Sequence, residues 1–148
     1  MEEGNILISQ RIEKLKELRA AGINPYPSRY KITNSIQEII DKYGHFTPQE
    51  LEGEKDNHSL AGRIMSKRDH GRTAFCHIQD AGGRLQVYVR KEDIGEKTFE
   101  IFSKFDIGDF MGVKGPLFKT KTGELTQWAK EVTLLAKSLR PLPEKWHG

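Results

Sequence analysis

Cysteine is nearly absent from this sequence, and several kinds of site are absent with it. The 148 residues contain a single cysteine, Cys76, so no internal disulfide can form. Cys76 falls on the apolar side of a predicted strand, which favours a buried small residue over a nucleophile. The five histidines lack metal-ligand spacing, and one cysteine cannot complete a zinc set. We therefore expect a cytoplasmic protein without a metal site.

Long apolar runs and phosphate-binding loops are missing as well. No stretch approaches the roughly 18 apolar residues of a membrane span, and the opening MEEGNILISQ has no apolar core of a secretory signal. Gly82-Gly83 is followed by neither Lys-Ser nor Lys-Thr, so it is not a phosphate loop. Cys76 and His77 are neighbours on a strand and point to opposite faces, which argues against a nucleophile pair. The sequence thus predicts no catalytic residue and no membrane partner.

Two runs of alternating residues, 73–79 and 84–90, surround Asp80-Ala81-Gly82-Gly83. A period of two predicts half-buried strands, here joined by a tight loop in which glycine takes positive φ. Pairing Gln79 with Arg84 aligns all small and aliphatic side chains on one face. The opposite face then carries Phe75, His77, Arg84, Gln86, Tyr88 and Arg90.

This second face has two open interpretations. An aromatic ring, an amide and guanidinium groups suit a nucleic-acid base, because the ring stacks, the amide bonds to a base edge and the charges hold phosphate. A solvated outer face with one exposed phenylalanine is the plainer alternative. Between His58 and Glu92, seven Lys or Arg residues, among them Arg72, stand against three acidic ones. This local positive excess would suit an anionic ligand.

Helical spacing of apolar residues predicts a first helix over residues 8–21, with Arg11, Lys16 and Arg19 in or beside its apolar stripe. These cations either contact a phosphate backbone or border a packed face with their aliphatic stems. Ser35 and Glu38 form a capping box that predicts a second helix, and Thr47-Pro48 predicts a third, short one.

The remaining pattern predicts a strand over 59–69 with a bend or bulge at Gly62, a helix over 92–105 despite Gly95, and strands over 108–120 and 124–135 that turn at Gly123. Three strands, a helix and two strands are the layout of the five-stranded OB-fold, a Greek-key barrel of β type that is α+β by content. Strands 2 and 3 of this fold bind single-stranded nucleic acid. Lys119, Lys121 and Glu124 would lie near that surface. We expect a helical extension over 1–57, the barrel over 58–137 and a linker over 138–148.

Motifs along the whole chain resemble the N-terminal anticodon-binding region of bacterial-type lysyl-tRNA synthetases. They are Arg68, Phe75 within RTAFCHIQDAGGRLQVYV, Gly108-Asp109, the run LFKTKTGEL from Leu117 to Leu125, Leu134-Leu135 and SLRPLP from Ser138 to Pro143. RIEKLKELRAAGINPYP, from Arg11 to Pro27, resembles the first helix of the family. The sequence departs from the family at Gln127-Trp128-Ala129, and His77 has no role to carry over.

The resemblance implies an OB-fold that reads the uracil-rich anticodon of lysine tRNA. Phe75 would stack on the central anticodon base, Gln86 and Arg68 would bond to base edges, and Glu124 would contact a neighbouring uracil. The first helix would lie along the anticodon stem, and DNA is not an expected partner.

The resemblance also implies that catalysis lies elsewhere. In the family a class II aminoacylation domain follows the segment Lys145–Gly148, so ATP, Mg²⁺ and a homodimer would belong to that parent enzyme and no cofactor to these residues. A generic single-strand-binding OB-fold and a protein-docking or dimerisation module are the alternatives.

Overall fold

The computed structural model describes residues 30–138, together with residues 10, 12 and 13. The predicted first helix with Arg11, Lys16 and Arg19, and the predicted linker after residue 138, lie outside the described residues. The helices are α1 (Ile36–Tyr43), α2 (Pro48–Gly53), α3 (Lys91–Ile94) and α4 (Glu96–Ser103). The strands are β1 (His58–His70), β2 (Thr73–Gln79), β3 (Arg84–Arg90), β4 (Phe110–Gly115), β5 (Leu117–Lys119), β6 (Leu125–Trp128) and β7 (Glu131–Ala136).

The strands form one sheet in the order β5-β6-β3-β2-β1-β4-β7. Its two ends belong to one bent hairpin, because the Trp128 N–H donates to the Pro116 carbonyl and the Lys130 N–H to the Lys114 carbonyl, both at 2.8 Å. β6 runs parallel to β3, whereas β4 is antiparallel to β1. The hairpin therefore closes the sheet into the barrel of an OB-fold.

The predicted fourth and fifth strands are each divided in two, so five strands appear as seven segments. Pro116 separates β4 from β5, since proline has no N–H to donate to a ladder. Beside it the backbones cross closely: a Cβ on Gly115 would stand 1.9 Å from the Trp128 carbonyl oxygen. Across this crossing, the Ala129 N–H donates to the Tyr88 carbonyl at 2.9 Å. The bend thus allows the predicted fifth strand to pair with β3 through β6 and with β4 through β7.

The β2–β3 hairpin has the predicted register, with Gln79 opposite Arg84 and Phe75 opposite Tyr88. Its apolar face forms the centre of the core, and each of its members is at most 3% exposed: Ala74, Cys76, Ile78, Leu85, Val87 and Val89. Burial raises the pKa of the Cys76 thiol to about 12, which keeps it protonated and unreactive.

The loop between β2 and β3 differs from the prediction, because neither Gly82 nor Gly83 has positive φ. Instead, Asp80 Oδ1 accepts from both glycine N–H groups at 2.9 Å. The second oxygen, Oδ2, accepts from the Ile36 N–H at the start of α1. A Cβ on Gly83 would stand 3.1 Å from the Ile36 side chain, so glycine here permits the close approach of α1 to the loop.

The helix predicted over 92–105 is interrupted at Gly95, which has φ of +91° and separates α3 from α4. Three further local predictions are confirmed. Ser35 and Glu38 form the reciprocal capping box of α1, Pro48 begins α2 behind Thr47, and Gly123 takes φ of +86°. Among the described residues, no helix is long and apolar enough to cross a membrane.

Candidate nucleic-acid interface

A β-bulge in β1 determines which side chains reach the outer face of the barrel. Ile64 pairs with Ile78, but the next pair is Ser66 with His77, so Met65 is the extra residue. The extra residue inverts the alternation, and Ser66 and Arg68 thereby join the outer face instead of the core face. The sequence predicts a bend or bulge at Gly62. That residue is instead a point of close approach, where a Cβ would stand 2.9 Å from the Gln79 nitrogen.

One cross-strand row of the outer face is aromatic. Arg68, Phe75, Tyr88 and Trp128 are successive partners across β1, β2, β3 and β6. The ring centroids of Phe75 and Tyr88 are 4.9 Å apart, those of Tyr88 and Trp128 are 5.4 Å apart, and Arg68 Cζ lies 5.9 Å from the Phe75 ring. Phe75 is held by a ring on one side and a guanidinium on the other, which leaves a half-buried platform suited to stacking a base.

The adjacent row is polar, with Ser66, His77, Gln86 and Thr126 as successive partners across the same four strands. Gln86 is only 4% exposed, and its amide donates to the Thr126 hydroxyl at 2.9 Å. Gln86 shares its face of the hairpin with the exposed Arg84, but β6 runs beside β3 and covers Gln86. A base stacked on Phe75 would present its edge to this row.

Glu124 enters the same surface from the β5–β6 turn. Glu124 Oε2 accepts from His77 Nε2 at 2.8 Å, and His77 Nδ1 lies 2.9 Å from Ser66 Oγ. The Glu124 side chain remains 46% exposed. The sequence motif placed Glu124 near the hairpin, and the structure joins it to His77, a contact that separation along the chain does not reveal.

Asp93 supports the far end of the aromatic row. Its carboxylate accepts from Arg90 at 2.8 and 2.9 Å and from the Trp128 indole N–H. The Arg90 hydrogen bonds, then the Trp128 N–H and the Lys130 charge, hold the pKa of Asp93 well below its usual range. Arg90 and Lys130 also lie 4.9 and 4.8 Å from the Trp128 ring. Trp128 is thus fixed by cations and an acid, and Arg90 is engaged within the fold.

The remaining predicted basic residues divide into free and engaged side chains. Arg72, Arg84 and Lys121 are exposed. Lys119 is half-buried, and its Nζ donates to the Gly44 carbonyl at the end of α1 at 2.8 Å, so this cation is already engaged within the fold. Within residues 30–138, no group of three acidic, histidine or cysteine side chains is arranged to hold a metal ion.

Two residues of this surface have no signal in the sequence pattern. Ser66 and Thr126 carry the hydrogen bonds of the polar row, yet small hydroxyl residues on strands have no distinctive pattern. The departure from the resemblance at Gln127-Trp128-Ala129 begins directly after Thr126, and it is the one signal in the sequence that this strand differs.

The fold and the two rows define a class, the nucleic-acid-binding OB-folds. A family model named for the tRNA anticodon and described as "OB-fold nucleic acid binding domain" matches residues 58–142. The match covers more than half of the chain, and the chain belongs to this family.

Particular relatives extend the similarity to the rest of the sequence. The chain is 46% identical over 147 residues to a lysine–tRNA ligase of Carboxydothermus hydrogenoformans, 48% identical to one of Bacillus cereus and 47% identical to one of Bacillus thuringiensis. Each alignment covers 99% of this chain but only 29 to 30% of the relative. The chain therefore spans about a third of the length of these ligases, or slightly less.

Proposed function

We propose that the outer face of β2 and β3 reads the uracil-rich anticodon of lysine tRNA. The observation that carries the proposal is the Phe75 platform, which lies in a row of rings directly beside a row of hydrogen-bonding groups. A stacked base would use the first row for its face and the second for its edge, as OB-folds do with single strands. The identity of 46 to 48% with lysine–tRNA ligases supports lysine tRNA as the partner.

Each predicted contact has a physical basis within this arrangement. Phe75 stacks on the central base, and Arg68, which is exposed beside it, bonds to a base edge. Gln86 is 4% exposed, so its bond to the edge of the base would use the one amide hydrogen that Thr126 does not take, through the small part of its surface that β6 leaves open. Glu124 accepts from the N–H of a neighbouring uracil. Lys121, Arg72 and Arg84 hold the phosphates.

Replacement of the central ring tests the assignment. Stacking of one base is worth about 1 to 3 kcal/mol, so Phe75→Ala should weaken binding of a lysine anticodon stem-loop by about 10-fold or more. Phe110→Ala is the matched control. Phe110 is also partly exposed, but it lies on β4, outside the aromatic row, with Arg63 of β1 over its ring. Equal affinity of the Phe75 variant and the wild type in a fluorescence titration would contradict the assignment.

A stem-loop with a changed anticodon distinguishes a specific reader from a generic single-strand binder. Phosphate contacts carry no sequence information, so the generic binder would bind both loops equally. The specific reader prefers the uracil-rich loop. Assembly through an exposed edge or helix, the docking alternative, would appear as a concentration-dependent mass in light scattering.

Lysylation itself, with its ATP and Mg²⁺, is assigned to the part of the ligases that these residues do not cover, and no cofactor is assigned to this chain. The parent enzyme would be a cytoplasmic homodimer. Lysine-dependent exchange of pyrophosphate with ATP by this chain alone would contradict that division.

A further inference from the structure

Three side chains from three separate elements form one hydrogen-bonded chain on the outer face. Ser66 lies on β1, His77 on β2 and Glu124 at the β5–β6 turn, with distances of 2.9 and 2.8 Å between consecutive partners. We propose that His77 is a positioning residue that fixes the Glu124 carboxylate as an acceptor for a base N–H and so determines specificity at one anticodon position. This inference rests on the proposed function and deepens it.

The chemistry of the three groups determines where the hydrogens lie. An ionised carboxylate can only accept, so the bond between His77 Nε2 and Glu124 Oε2 must have the histidine as donor. In the neutral ring Nδ1 is then the acceptor, and the Ser66 hydroxyl supplies its hydrogen. The Glu124 carboxylate therefore selects the tautomer with its hydrogen on Nε2, and the Ser66 hydroxyl, which can donate as well as accept, completes the hydrogen bond at Nδ1.

Glu124 needs such an anchor because it lies in an exposed turn. Its main chain is fixed by Thr120, whose N–H donates to the Glu124 carbonyl and whose hydroxyl accepts from the Glu124 N–H. Its side chain is 46% exposed, against 23% for His77. A free glutamate side chain loses rotamer entropy on binding, and an anchored one has already lost it. With Oε2 held by His77, the other oxygen, Oε1, remains for the ligand.

A fixed acceptor discriminates between bases by whether the group that faces it is a hydrogen-bond donor or an acceptor. Uracil presents an N–H at its N3 position, whereas cytosine presents an unprotonated nitrogen at the same place. Facing a carboxylate, uracil gains a hydrogen bond, and cytosine leaves two acceptors opposed and unpaired. Only an acceptor that cannot swing away enforces this difference, so the anchor converts a contact into a specificity determinant.

Two substitutions at His77 separate the two hydrogen bonds of the ring. His77→Gln places an amide nitrogen near the position of Nε2 and can still donate to Glu124. His77→Asn reaches only the position of Nδ1, so it keeps the contact with Ser66 and loses the contact with Glu124. The pair is matched in chemistry and differs in which partner it reaches, so a general effect of removing the ring appears in both variants.

Titrations with three stem-loops measure the effect: the lysine anticodon loop, and two loops in which each uracil beside the central base is changed separately to cytosine. The wild type should prefer uracil at one of these positions by about 10-fold or more. His77→Asn should reduce that preference by about 10-fold, mainly by weaker binding of the uracil loop, whereas His77→Gln should retain it within about 3-fold. A preference in His77→Asn equal to that of the wild type would overturn the inference.

The double variant tests whether His77 acts through Glu124. In a Glu124→Ala background, His77→Asn should leave the ratio of the affinities for uracil and cytosine loops unchanged. A further fall in that ratio would assign His77 a direct contact with the base and overturn the positioning role. A wild type that binds all three loops equally would instead contradict the proposed function. Failure of the inference alone would leave the Phe75→Ala effect and the preference for uracil intact.

Discussion

Two clusters of charged side chains differ in whether their hydrogen-bonding capacity is used up within the protein. At the end of β7, Lys137 donates to Asp106 and to Asp109, the latter at 2.8 Å, and the side chains of Lys137 and Asp109 have no exposed surface. On the outer face, His77 and Glu124 are bonded at the same distance, but their side chains are 23% and 46% exposed. The two pairs have equal nitrogen-to-oxygen distances and different surroundings.

The Lys137 cluster is closed by the main chain. Asp109 Oδ1 accepts from the Ser138 N–H and Oδ2 from the Asp106 N–H, each at 2.8 Å. Every oxygen of this carboxylate therefore has a partner inside the fold. The Glu124 carboxylate has one oxygen bonded to His77, and its side chain is 46% exposed. A charged group whose hydrogen bonds are all made within the protein stabilises the fold. A carboxylate that has only one oxygen bonded within the protein can still accept a hydrogen bond from a ligand.

The largest expected effect concerns the closed cluster. Lys137→Met removes a cation from between two aspartates and leaves the buried Asp109 charge without its counterion, so the free energy of unfolding should fall by about 3 to 5 kcal/mol. Urea denaturation measures this. The control is Lys114→Met, because Lys114 is 51% exposed and 3.9 Å from its partner Glu131. Equal stabilities of the two variants would show that the buried Lys137 cluster contributes no more to stability than an exposed ion pair does.

Asp93 is intermediate between the buried Lys137 cluster and the exposed pair of His77 and Glu124. Its side chain is 9% exposed and has three donor side chains around it. Asp93→Asn should cost about 1 to 3 kcal/mol of unfolding free energy at neutral pH. Because the pKa of Asp93 is lower in the folded chain than in the unfolded one, its stabilisation is present above the ordinary aspartate value of about 3.9 and is lost as the pH falls further. The stability difference between wild type and variant should therefore shrink on acidification. A difference that grew in acid would contradict the assignment.

Substitution in the exposed pair of His77 and Glu124 should weaken RNA binding and hardly change stability. Glu124→Ala should change the free energy of unfolding by less than about 1 kcal/mol, since exposed ion pairs contribute little. Binding of the lysine stem-loop should weaken by about 10-fold, since a hydrogen bond to a charged acceptor is lost. Glu131→Ala, at another exposed glutamate, should alter neither quantity. Lower stability with unchanged affinity would show that Glu124, like Asp109, stabilises the fold and does not contact the ligand.

The smallest effect separates two lysines of the β5–β6 hairpin. Lys121 is exposed, whereas Lys119 donates to the Gly44 carbonyl. Lys121→Met should make the dependence of log affinity on log salt concentration shallower by about 0.7, the loss of one phosphate contact to a single strand. Lys119→Met should leave that slope unchanged and cost about 1 kcal/mol or less of stability. Identical slopes in both variants would indicate that the hairpin does not contact phosphate.

Local patterns predicted the elements whose cause is itself local. The period of two in residues 73–90 yielded the register of β2 and β3 pair by pair, and the capping box at Ser35 yielded the start of α1. Gly95 was misjudged because the apolar spacing on both sides of it fits one helix, although its φ of +91° divides that helix in two. A glycine within a periodic pattern permits either outcome, and packing decides between them.

The outer face shows the same division. By itself the sequence determined that Phe75, His77 and Tyr88 share one side of a hairpin, because alternation along a strand is a property of the backbone. Tertiary structure alone decided that Ser66 and Arg68 join them, that Gln86 is covered, that Lys119 is engaged and that His77 meets Glu124. The outcome for Lys119 depends on the end of α1, and the others depend on a bulge at Met65 and on β6 lying beside β3. Bulges and neighbouring strands involve pairing between segments distant in the chain, and no local period encodes such pairing.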